Sequence, residues 1–391
     1  MSASEPPLRG VRVLDLTRLV PGPVCTQHLA DLGANVIKLE DTGAGDHAPP
    51  ALRAIVNRNK RGLQLDLKQR DGAQAFLQLA RSADVLVEGF RPGAMERLGL
   101  GYAAVAQVNP RIVYCSITGY GQSGPYRDRP GHDLNYCGHA GVADQIGSGA
   151  DALALSNLPV ADLIGGALTA AMGILAALFD VARTGRGRHL DIAMAEGALA
   201  HAVMPLATLA ARGSTRRAGA DTLTGGLACY ALYRSADERF LAVGALERKF
   251  WDRLCDVIER PHLKPLHRTG DAASEARVRD ELAAIFGARP LADWAARFAH
   301  ADACVSPVHT LEEALADPHF RARGMVVESW HPSLGALTQV ACPVKMSRYG
   351  FELQRQAPRP GEHTLELLRE AGCSEASIAA LLEKGTARAA A

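Results

Sequence analysis

The sequence predicts an α/β protein: a large domain built on a doubly wound parallel sheet, with a smaller α+β domain. Three observations carry this. Short β-rich runs alternate with helical stretches through the first half of the chain, Pro- and Gly-rich turns punctuate that alternation, and beyond residue 222 the pattern changes to paired strands followed by helices. Strand-like runs at 11–16, 36–39, 85–87 and 112–117 are separated by helical patterns at 25–32 and 72–83. Turns fall at Pro21-Gly22-Pro23, Arg91-Pro92-Gly93 and Asn109-Pro110. The apolar stretch 163–181 approaches membrane-span length, but Gly165, Gly166, Gly173 and many alanines suit a buried central helix better than a span. Gly185-Arg186-Gly187 ends it, a strand restarts at 189–193, and a second alanine-rich helix follows near 196–210.

The large domain is thus expected over 1–210, completed by about 331–391, and the small domain over 222–330, with the polar tract 212–221 as linker. Within the small domain, strands are expected at 229–233 and 240–243, then helices at 249–258, 275–286 and 291–298. A strand at 337–344 and helices at 363–371 and 374–383 close the chain, and 386–391 is expected to fray.

A chain of 391 residues can bury roughly 75% of its unfolded surface, enough for a large core. With 43 Lys+Arg against 42 Asp+Glu, no global field draws in nucleic acid or an anionic membrane, so any bound anion must be met locally. Eight cysteines without a C-x-x-C pair argue against a zinc site and a disulfide framework, and free thiols suit a cytoplasmic protein. The polar, proline-containing segment 1–9 has the character of neither a signal nor a transit peptide. No metal ligand set and no prosthetic group are expected.

Gly119-Tyr120-Gly121-Gln122-Ser123-Gly124 matches G-x-G-x-x-G and follows a strand, yet Pro125 and the charged segment ending at Pro130 cannot open the helix that would receive a pyrophosphate. A nicotinamide site is therefore rejected. No Walker A, G-x-S-x-G or H-E-x-x-H sequence is present.

The chemistry centres on Gly131-His132-Asp133-Leu134-Asn135-Tyr136, with carboxylates at Asp162 and Glu247. A histidine and two carboxylates among glycines and apolar residues are the groups needed to move a carbon-bound proton through a transient anion. Each alone also suits a structural role: His132 in a turn, Asp162 in the first turn of the apolar helix, Glu247 opening the helix behind it.

The surrounding sequence resembles the family III CoA-transferase superfamily over essentially the whole chain. The resemblance rests on Pro21-Gly22-Pro23 with Asp31-Leu32-Gly33-Ala34-Asn35-Val36-Ile37-Lys38, on Asn57-Arg58-Asn59-Lys60-Arg61 with Leu65-Asp66-Leu67-Lys68, and on Glu88-Gly89-Phe90-Arg91-Pro92-Gly93. It continues through Thr118-Gly119-Tyr120-Gly121 and Pro125 to Pro318-His319-Phe320-Arg321-Ala322-Arg323-Gly324. Transferases of this superfamily use an aspartate nucleophile; its α-methylacyl-CoA racemases add a histidine in Gly-His-Asp-x-Asn-Tyr and a glutamate in the second domain. This chain has both additions, with Arg248 where the family commonly has proline.

The resemblance implies a racemase that interconverts (R)- and (S)-2-methylacyl-CoA thioesters by two-base proton transfer through an enolate, with His132 and Asp162 as the acid/base pair and Glu247 holding the His132 ring. Backbone N–H groups among residues 163–166 are candidate donors to the enolate oxygen. Coenzyme A enters as part of the substrate. Lys38, Arg58, Lys68, Arg91 and Arg97 fall in segments resembling CoA-binding stretches, and Asp66, Gly89, Asp133 and Tyr136 in those segments are carried with them. An interlocked homodimer is also implied. Two rivals stand beside this reading: a CoA-transferase moving CoA between carboxylic acids through an Asp162 anhydride, and an inert CoA-binding protein. The acyl pocket is not legible, although Met194 and Met204 could wall it, core packing being their alternative.

Overall fold

The computed structural model describes residues 5–43, 45–149 and 152–390. They form two compact units: 1–140, 157–201 and 322–391 in the first, and 141–156 with 202–321 in the second.

The first unit is built on six parallel strands: β1 (Arg12–Asp15), β2 (Asn35–Glu40), β3 (Lys60–Leu65), β4 (Val85–Glu88), β5 (Val113–Thr118) and β6 (Arg188–Ala193), in the order β3–β2–β1–β4–β5–β6. In the shared register Leu14 of β1 faces Ile37 of β2 and Leu86 of β4. Every residue of β4 and β5 is buried, as a sheet covered on both faces requires, so both read as nearly unbroken β-rich runs. Strand β3 was not anticipated because Lys60-Arg61-Gly62 reads as polar. Its charges are absorbed internally: Lys60 pairs with Asp15 at 3.0 Å, and Arg61 with Glu366 and Glu370 at 2.7 Å each.

The chain end also departs from expectation. Ala387–Arg388 adds an antiparallel strand to the β3 edge, with Thr386 and Ala387 buried, so these residues are paired where fraying was expected; Ala391 lies outside the described residues. Leu367, Leu368, Ile378 and Leu381 of the closing helices join Leu14, Ile37, Leu63 and Phe76 in one core.

Four helices shape the site: α1 (Pro21–Asp31), α2 (Asp133–His139), α3 (Ala161–Thr184) and α4 (Met194–Ala200). Proline at its first positions suits α1, where N–H groups have no helical partner. The first eight residues of α3, Ala161–Leu168, are wound as a π-helix before Thr169–Thr184 continues as α-helix. Helix α3 is long and apolar enough to cross a membrane, but its small-residue face is buried in this unit through Ala161, Gly165, Gly166, Ala170, Ile174 and Ala177. Here glycine is required by contact. A Cβ on Gly197 of α4 would lie 2.4 Å from Gly165 Cα, and one on Gly165 would lie 2.3 Å from the Met194 carbonyl oxygen.

The second unit carries an antiparallel sheet of Val305–Pro307, Phe240–Gly244 and Tyr230–Arg234. Helices Arg248–Val257, Ala272–Phe286 and Leu291–Phe298 pack on it around Trp251, Phe286, Trp294 and Phe298. Both buried indoles are satisfied, Trp251 by the Leu263 carbonyl and Trp294 by that of Phe286, each at 2.9 Å. The boundaries differ from the sequence reading. The alanine-rich run breaks at Ala202, so Val203–Arg212 belongs to the second unit, and the hairpin Val326–His331/Gly335–Val340 lies in the first. Tract 212–221 is part of the second unit: Ala218 is buried, and Asp221 accepts the Thr208 hydroxyl at 2.7 Å.

The Gly165–Gly197 contact generates a prediction. Gly197→Val forces apart two main chains and should destabilise the protein by about 3 kcal/mol, read as a lowered midpoint in thermal unfolding; an unchanged midpoint contradicts the contact.

Candidate active site

Connections leave β1 and β4 in opposite directions, and a cavity of about 760 Å³ opens at their carboxyl ends. Thr17, Arg18 and Leu19 after β1, Gly89–Arg91 after β4 and Ile117–Gly119 at the end of β5 form its sheet-side wall. His132, Tyr136 and Asp162 line the same cavity, so the structure brings the sequence-predicted acid/base pair together.

His132 sits just ahead of α2 in extended conformation, and its N–H donates to Asn135 Oδ1 at 3.1 Å. The following helix is anchored by Tyr136, whose hydroxyl donates to the Gly131 carbonyl. Its ring occupies the space a side chain at Gly119 would need: a Cβ there would lie 2.3 Å from the ring. Burial, then the nearby Asp162 carboxylate, pushes the Tyr136 phenol up to about 12, which keeps it a neutral donor. The segment 119–132 contains no helix, consistent with rejecting the glycine-rich signature as a dinucleotide motif.

Asp162 lies in the first turn of α3 and is half-buried. Burial, reinforced by the Asp133 carboxylate and opposed by His132, pushes its carboxyl up to about 6. Asp133 Oδ1 accepts the Asp162 N–H at 3.0 Å, which ties Asp133 to the first turn of α3. The Leu163 N–H is also taken, donating to the Pro159 carbonyl at 3.0 Å. That removes Leu163 from the expected enolate donors.

The predicted cations divide into two groups. Arg91, with Gly89, lines the main cavity. Lys68 and Arg97 line a neighbouring cavity of about 360 Å³ whose walls include Leu39, Leu65 and Leu98 and which shares Arg18 and Phe90 with the first. Lys38 and Arg58 are corrected. Arg58 is buried against Asp31 at 2.7 Å, and Lys38, fully buried, bonds the Thr17 carbonyl, and neither lines the main or the neighbouring cavity. Asp66 shapes the turn before Lys68 by accepting its N–H at 2.9 Å. Sequence reasoning missed Arg18, Arg127 and Arg129, which also line the main cavity. The available signal was their position next to β1 and ahead of His132. Gly93, at φ +80°, leaves room for cations: a Cβ there would lie 3.2 Å from Arg97 Nη1 and 3.3 Å from Arg127 Nη2. The turn leading to it is held by Glu88, which accepts the Phe90 N–H at 2.8 Å and is pushed up to about 7 by burial.

Glu247 belongs to the second unit, where it immediately precedes helix Arg248–Val257 in extended conformation. Arg248 fills the first helical position and pairs with Asp252 at 2.7 Å, so the departure from proline leaves the helix start intact. The same unit has a groove of about 490 Å³ lined by Leu223, Tyr230, Leu232, Gly244 and Cys304. Met194 is buried and lines the main cavity, whereas Met204 is exposed.

Comparison with known proteins places this geometry in a family. The chain is 36% identical over 375 residues to α-methylacyl-CoA racemase of Homo sapiens, covering 95% of each chain. It is 32% identical over 385 residues to acetyl-CoA:oxalate CoA-transferase of Acetobacter aceti, covering 95% of this chain and 97% of that one. The crystal structure of a CAIB/BAIF family protein from Brucella suis superposes with a TM-score of 0.81 at 27% identity, over 93% of this chain and 99% of that one. The family model described as CoA-transferase family III matches residues 8–364, and the chain belongs to that family.

Proposed function

We propose that the protein is a racemase of 2-methylacyl-CoA thioesters. The observation that carries this is the convergence of His132 and Asp162 on one cavity, with Asp162 held near pH 6 by burial and Asp133. A base poised close to the working pH combines a useful ionised fraction with proton affinity. In one direction the Asp162 carboxylate takes the α-proton, the C–H electron pair becomes the enolate, and imidazolium His132 returns a proton to the opposite face. The reverse direction exchanges the two roles.

The acyl-CoA places its reacting carbon in the main cavity and its anionic portion among Arg18, Arg91, Arg97 and Lys68, which are exposed or half-exposed at the two adjoining cavities. A homodimer fits the exposed apolar residues Leu168, Met172, Leu175 and Phe179, spaced along one side of α3, with Phe179 67% exposed in the single chain. The second reading, CoA transfer with Asp162 as nucleophile, is favoured by the similarity to the oxalate CoA-transferase over nearly the whole chain.

His132→Ala separates the readings. Racemisation should fall by about 10²- to 10⁴-fold in a chiral product assay, and no acceptor-dependent CoA transfer should emerge; transfer that survives unchanged in this variant supports the transferase instead. The pH profile offers a second check. Because Asp162 must be ionised to act as base, the rate should fall as pH drops through about 6. Asp133→Asn removes the neighbouring negative charge and should move that acid limb to lower pH; a limb that stays in place contradicts the assigned coupling.

A further inference from the structure

The cavity wall at the end of β1 hangs on four buried charges that no step of the proposed reaction uses. Asp15, Lys38 and Lys60 are fully buried and Asp46 is 5% exposed. Lys60 Nζ lies 3.0 Å from Asp15 Oδ2 and also donates to the Pro23 carbonyl and Asn57 Oδ1 at 2.9 Å each. Lys38 Nζ lies 3.9 Å from Asp15 Oδ1 and 3.6 Å from Asp46 Oδ2. Two cations and two anions cancel, yet taking them all out of water is costly, and apolar replacements often serve stability as well.

What distinguishes this cluster is where its remaining hydrogen bonds go. The Lys38 ammonium donates to the Thr17 carbonyl. Asp46 Oδ1 accepts the Leu19 N–H at 3.1 Å, and Asp15 Oδ1 accepts the Thr17 N–H at 2.9 Å. Leu19 is held at φ +64°, a left-handed conformation unfavourable to a side chain and maintained only where the surroundings impose it. Thr17 and Leu19, so tied, and Arg18 between them line the main cavity, and Arg18 lines the neighbouring one as well.

We propose that Lys38 and Asp46 are positioning residues that act through the main chain of residues 17–19, fixing the wall against which the CoA portion of the substrate lies without touching it. The proposal rests on the acyl-CoA reading above. It assigns a role to a lysine whose segment alone suggested phosphate contact.

Calorimetric titration with CoA of the wild type, Lys38→Met, Asp46→Asn and the double variant tests this. Arg53→Met serves as control: Arg53 pairs with Glu40 at 2.8 Å, and neither residue lines either cavity. Each single variant should bind CoA about tenfold or more weakly and the double variant no worse than the weaker single, because both act through one turn. The control should bind as the wild type does. In steady-state assays KM should rise with kcat little changed. Wild-type affinity in folded variants, additive losses in the double variant, or a fall in kcat at unchanged KM would overturn the proposal. If Lys38→Met does not fold, the near-isosteric Asp46→Asn carries the test through the same affinity and KM readouts. A wild-type protein that fails to bind CoA would instead refute the acyl-CoA reading.

Discussion

The reversal of strand order between β1 and β4 is the constraint on which the rest of the first unit depends. Two strands lie side by side while their connections depart in opposite directions, so the chain cannot cover the carboxyl ends and a cavity remains. Dinucleotide-binding sheets share this order, but the turn after β1 is built differently here. A glycine-rich loop is replaced by Thr17-Arg18-Leu19-Val20 entering a proline-opened helix, with buried charges beneath it. The opening is therefore furnished with arginines and a tied main chain.

Glycine contacts set the other wall. The main chains of α3 and α4 meet at Gly165 and Gly197, three residues beyond Asp162 and three beyond Met194, and both of those side chains line the cavity. That placement has an electrostatic consequence. Asp162 and Glu88 are both raised above the ordinary carboxylate range by burial, so the folded state holds their protons more tightly than the unfolded chain does. Their contribution to stability is fully present below about pH 4 and is lost as pH rises through about 6 for Asp162 and about 7 for Glu88. The ionised base needed for proton transfer is thus the less stable form of the fold.

Much of the fold was legible because buried parallel strands have a plain signature. Val85–Glu88 and Val113–Thr118 read as β-rich runs whatever surrounds them. Strand β3 escaped because its first residues are charged, and only the tertiary pairs of Lys60 and Arg61 make them tolerable inside a sheet. For the site, the glycine-flanked segment around His132 carried enough local pattern to be found. Arg127 and Arg129 did not, since a surface cation and a cavity cation look alike until the loop 119–132 is placed. Lys38 and Arg58 misled for the converse reason: their segments resembled phosphate-binding stretches, while their partners, Asp46 and Asp31, lie eight and 27 positions away in the chain.

The central claim is that two groups flank one carbon and exchange its proton across an enolate. Proton exchange into (R)- and (S)-2-methylacyl-CoA in heavy water, followed by NMR with chiral analysis and no acceptor acid present, tests it most directly. The account predicts deuterium at the α-carbon from both enantiomers, accompanied by inversion. Absence of exchange, or exchange with complete retention from either enantiomer, would contradict it.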